Sequence, residues 1–145
     1  MQLDSWLTVS ATGDARSDTP AFLVAFATLS LVHDGGTLSV VGGILRLDLQ
    51  GDLIVPENIN LRVEAGAMIE NLGARLTLRG PLTAGQYQVF SAASRQVLDN
   101  RLSEVYPIWW GAEPGADDAA PALDRMLTSL GANGPRVVRF GGGSY

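Results

Sequence analysis

Few residues in this chain are equipped for chemistry. Asp117 and Asp118 are adjacent carboxylates, a pair that could hold calcium or divide general acid and base work. Neighbours in a chain rarely point into one site, however. Asp118 also stands just before an apolar run, where a carboxylate accepts free backbone N–H groups, so it is expected to be a helix N-cap. His33 is the only histidine and has no Ser or Cys beside it to activate, so a turn or surface role is expected. Tyr106, Trp109 and Trp110 could stack on sugars, but the same cluster can fill a gap in a core or a subunit seam, and packing is the expectation. The glycines 141–143 lack the lysine and following helix of a phosphate loop. No catalytic residue, cofactor ligand or metal ligand is expected in this chain.

The elements that must position these residues are bounded by composition. The chain has 145 residues, enough for one ordinary domain or two small ones, and no cysteine, which excludes disulfides, a zinc ribbon and a thiol nucleophile. The net charge of −5, with scattered arginines and no lysine, argues against nucleic acid or an anionic membrane as partner. The longest apolar run, residues 21–32, is broken by Thr28 and Ser30 and is shorter than the roughly 20 residues needed to span a bilayer. Residues 1–10 do not have the order of a secretory signal, so neither signal peptide nor transmembrane segment is expected.

Three kinds of pattern follow one another. Residues 12–47 read as helix, glycine turn, strand, glycine turn. Asp18 is the expected N-cap, Pro20 lies in the first turn, and Phe22, Phe26 and Leu29 recur at helical spacing. Residues 44–90 alternate apolar and polar in short runs: Leu45, Leu47 and Leu49; Leu53 and Val55; Ile59, Leu61 and Val63; Leu76 and Leu78. Overlaying Leu61 on Leu76 and Val63 on Leu78 suggests two rungs of a solenoid, and a small antiparallel sheet or sandwich fits the alternation equally well. Residues 91–106 read as a polar connector. Residues 105–145 then repeat the first pattern: a helix at about 119–130 with Leu123, Met126, Leu127 and Leu130 on one stripe, Gly131 as its C-terminal residue, and a strand at about 136–140 closed by a turn at Gly142. The expected fold is mainly β with two short helices, divided into an N-terminal module, 1–104, and a closing segment, 105–145.

Trp110, Gly111 and Ala112, the Asp117–Asp118 pair, Ala122, Leu123, Leu127, Val138, Phe140, Gly142 and Tyr145 together resemble the N-terminal entry of the pectate-lyase-like right-handed β-helix superfamily, which includes phage tailspikes and capsule depolymerases. The central run from Gly51 to Phe90 is similar to the small β-rich module that often precedes that entry. Two positions depart from the pattern: 113–116 is Glu-Pro-Gly-Ala where a Gly-Asp-Gly is usual, and Gly141–Gly142 stands where two prolines are usual.

The resemblance implies a helix that caps the open apolar end of a parallel right-handed β-helix, a homotrimer, and a place in the virion as the attachment part of a tailspike or tail fibre, with tail or adaptor proteins and a host-surface polysaccharide as partners. It also implies that catalytic carboxylates would lie on coils beyond Tyr145. Phe22, Phe26, Tyr106, Trp109 and Trp110 are the expected packing or subunit-interface residues. The alternatives are a polysaccharide lyase or hydrolase whose active coils lie further on, and a carbohydrate-binding module built on the central strands and the tryptophans.

Overall fold

The computed structural model describes residues 5–99, 105–112 and 120–130. Strand β1, Trp6–Ser10, leads into helix α1, Ala15–Leu31. Seven short strands follow in two groups of three and a remainder: β2, Gly36–Val41, β3, Ile44–Leu47, and β4, Leu53–Val55; then β5, Ile59–Val63, β6, Met68–Asn71, and β7, Leu76–Leu78; then β8, Leu82–Thr83. Strand β9, Gln96–Leu98, a 3-10 turn at Pro107–Trp110 and helix α2, Ala120–Ser129, complete the described residues.

Among the described residues every strand pair is parallel. One sheet has the order β1-β2-β5-β8, a second pairs β3 with β6, and a third has the order β4-β7-β9. From β2 onward consecutive strands therefore belong to different sheets, and each strand from β2 to β4 pairs with the strand three places later. Leu38 lies beside Leu61, 23 residues on, and Leu53 beside Leu76, again 23 residues on. The next step is shorter: Leu61 pairs with Leu82 and Ile69 bridges to Phe90, each 21 residues on.

Alternation within each strand turns this pairing into columns of apolar side chains. β5 buries Ile59, Leu61 and Val63 and turns Asn60 and Arg62 outward. Leu38, Leu61 and Leu82 form one column, Leu45, Ile69 and Phe90 another, and Val55, Leu78 and Leu98 a third, all buried. Each such aliphatic side chain contributes about 1.5–3 kcal/mol by leaving water. On the outer face Asn60 donates to Thr37 Oγ1 and accepts from Thr83 Oγ1, so polar side chains also stack from one pass of the chain to the next. The turns are equally tight. A methyl group at Gly80 would meet the carbonyl oxygens of Ile59 and Pro56, and one at Gly73 would meet the backbone of Leu49, so only hydrogen fits at either place.

Several sequence expectations change here. The overlay of Leu61 on Leu76 is wrong, because those residues sit in two different sheets of the same pass; the true partners are Leu38 with Leu61 and Leu53 with Leu76. The antiparallel alternative falls with it, since every pair among the described residues is parallel. The segment read as a polar connector contains β9, and the unit at 12–47 shares its sheets with the strands of 44–90, so these two stretches form one stack. α1 begins earlier than expected and has Pro20 within it, and α2 runs over Ala120–Ser129 as its stripe predicts. Among the described residues no helix is long and apolar enough to cross a membrane.

Candidate functional site

Two side-chain clusters tie a helix to the stack. At the first, Asp18 is not the N-cap of α1. Asp14 is, with its side chain accepting from Arg16 N. Asp18 lies one turn into the helix, 1% exposed, with its carboxylate directed at the strands. Its Oδ1 accepts from Thr12 N at 2.9 Å and Thr12 Oγ1 at 2.8 Å, and its Oδ2 accepts from Gly13 N and Arg46 N, both at 3.0 Å. Burial by itself would raise the pKa of this carboxyl, but the four donors, Arg46 N foremost, outweigh it and hold the value below the usual 3.8. Arg46 completes the cluster by donating to Gly13 O and pairing with Glu70 at 2.9 Å. One carboxylate thus joins the β1–α1 turn, the helix and β3.

Phe22, 0% exposed, packs into the core beneath α1, while Phe26 is half-buried against it. Phe22 is therefore a packing residue and is closed to any partner chain. The outer side of the same helix shows Val24 and Leu31, the latter 84% exposed. His33 sits in the turn that follows, where its backbone N–H reaches Thr28 O.

The second cluster lies between α2, the 3-10 turn and β9. Pro107 starts that turn, and Gly111, at φ 95°, ends it in the left-handed region. Trp109 and Trp110 are 3% and 1% exposed; Phe90 lies 5.3 Å from Trp110, centroid to centroid, and Tyr106 lies edge-on to Trp109 at 5.2 Å. The tryptophans are core, which removes the sugar-stacking platform they would have offered. Their indole N–H groups are both used: Trp109 donates to Gly85 O and Trp110 to Ser129 Oγ.

Ser129 is the hub of this end. It accepts from Trp110 and from Gln96 Nε2 at 2.9 Å, and its own proton goes to Arg125 O. Arg125 Nη2 in turn donates to Trp110 O at 2.7 Å. One residue past α2, Leu130 makes a parallel bridge to Leu98, beginning a further row on the third sheet. The expected stripe holds at three of its four positions: Met126 is buried and Leu123 and Leu130 pack half-buried against the core, but Leu127 is 61% exposed, and Ala122 and Ser129 take the remaining inner positions. Asp117, Asp118, Gly131, Gly142 and the strand expected at 136–140 lie outside the described residues.

No family model, curated protein or solved structure matches this chain. Among the described residues no group of three or more His, Asp or Glu side chains converges as a metal site would. What does converge is a cleft of about 640 Å³ beside the second cluster, with Asp52, Arg75, Arg95, Gln96 and Arg125 in its wall. Asp52, Arg75 and Arg95 each stand just before a strand of the third sheet, so they form a polar column that is exposed where the apolar one is buried. Reading the sequence with a period of 15 hid that column; a period of 23 sets Asp52 against Arg75 at once.

Proposed function

We propose that this chain is the attachment and trimerisation part of a phage tailspike or tail fibre, a virion structural protein whose strands form the entry of a right-handed parallel β-helix. The observation that carries the reading is the placement of α2: the helix rests on β9 and the tryptophan turn, and Leu130 then adds in parallel beside Leu98. A helix laid over the last row of a parallel stack shields apolar columns and strand edges that water would otherwise reach. α1 supports the same reading from the other side. It packs on β1, β2 and β3, and it carries Val24 and Leu31 on its outer face, where a neighbouring copy can cover them.

Light scattering coupled to size separation, over a wide range of protein concentration, tests the assembly. A mass of three chains is expected, and Leu31→Gln should shift it toward one chain while leaving circular dichroism unchanged. A single-chain mass at every concentration would remove the trimer and with it the attachment role.

A further inference from the structure

The cleft beside β9 contains polar groups that the fold itself leaves unused. Arg75 and Arg95 are exposed side chains one pass of the chain apart, and Arg125 reaches the cleft from α2. None of the three makes an ion pair among the described residues. Asp52, also in the wall, spends Oδ1 on Arg75 N, and Asp124 lies on the exposed side of α2, so cationic groups outnumber anionic ones.

Deeper in, two atoms are buried without a partner: the acceptor Gln96 Oε1 and the donor Arg125 Nε. Gln96 is 6% exposed, and an unpaired group so placed costs about 1–3 kcal/mol. Its orientation is fixed by its neighbour. The proton of Ser129 goes to Arg125 O, so Ser129 can only accept from Gln96, and the amide must present Nε2 to it. Oε1 is therefore the free end, awaiting a hydrogen-bond donor. Arg125 Nε awaits an acceptor, and its guanidinium cannot turn to find one while Nη2 holds Trp110 O.

We infer that this cleft binds a small oxyanion bearing a hydroxyl group, a hydroxycarboxylate or a phosphate monoester. The oxyanion satisfies Arg125 Nε and draws in Arg75 and Arg95, and the hydroxyl donates to Gln96 Oε1. Neither half suffices alone: a bare anion leaves Oε1 unpaired, and a neutral alcohol leaves three cations unanswered.

The test uses the whole chain labelled with ¹⁵N, following the Arg125 Nε–H and Gln96 side-chain amide signals during titration with glycolate, acetate or glycerol phosphate. Saturable shifts of both signals with glycolate or glycerol phosphate are expected, with dissociation constants of about 1 mM or below. Which of those two binds more tightly tells carboxylate from phosphate. Acetate, which lacks the hydroxyl, should bind about tenfold more weakly. The double variant R75Q/R95Q, altered only at exposed positions, should weaken binding about tenfold and leave the melting temperature in place. No shift with either hydroxylated probe at about 20 mM, equal binding of acetate, or full binding by the double variant would each overturn the assignment.

Discussion

At the α1 end a helix is tied to the strands by a charge, since Asp18 answers four donors with one buried carboxylate. At the α2 end the tie runs through a neutral hydroxyl, with Ser129 accepting from Gln96 and Trp110 and bulky aromatics filling the space around it. Both helices expose apolar side chains outward and bury a stripe inward, so their backbones solve the same problem. The difference lies in what can undo each end. A charged tie is strong and sensitive to protons; a neutral hub surrounded by indole rings is weaker and indifferent to them.

The largest expected effect is at Asp18. Asp18→Ala leaves three backbone donors and a hydroxyl without the carboxylate that answers them, and should lower the free energy of unfolding by about 3 kcal/mol in urea titration. A change below about 1 kcal/mol would show that the charge is not what holds this end. The same carboxylate makes the α1 end, and not the α2 end, sensitive to acid. Its folded pKa lies below the ordinary 3.8, so its contribution is complete above 3.8 and is lost as pH falls from there through the folded value. The stability gap between the native chain and Asp18→Asn should close over that interval, and hydrogen exchange should quicken in α1 before α2. Equal quickening in both helices would erase the contrast.

Ser129→Ala comes next, at about 2 kcal/mol, because it leaves Gln96 Nε2 and Trp110 Nε1 without an acceptor. Its effect should not change between neutral pH and the acid limb, and tryptophan fluorescence, to which Trp110 contributes alongside Trp6 and Trp109, is a suitable probe. The smallest effect is at Leu127. At 61% exposed, Leu127→Gln should alter stability by less than about 0.5 kcal/mol. A larger loss by thermal melting would mean that the outer face of α2 is covered, as the outer face of α1 is in the proposed trimer.

Local pattern carried much of this fold. The alternation from Leu45 to Leu78 marked β3, β4, β5 and β7 correctly, and the apolar stripe placed α2 within a residue or two. Pairing was not legible, because a parallel partner lies a whole pass of the chain away and several strands of similar pattern intervene. β9 escaped because its inward positions are Gln96 and Leu98, so half of its alternation reads as polar. Asp18 was singled out, but its role was misread. Aspartate before a helix and aspartate one turn inside it look alike until Arg46 is known to stand opposite. The cleft had no local signal at all, since Arg75 and Arg95 become neighbours only through strand pairing.

The stepwise register of the sheets also means that length can be edited in whole units. Excising residues 59–79 would seat Leu82 beside Leu38 in the place Leu61 now holds, with the same parity of inward and outward side chains. Duplicating that stretch would add a storey without disturbing either helix. Such a chain can change its reach while keeping both fastenings, which is what a spacer between two fixed partners requires.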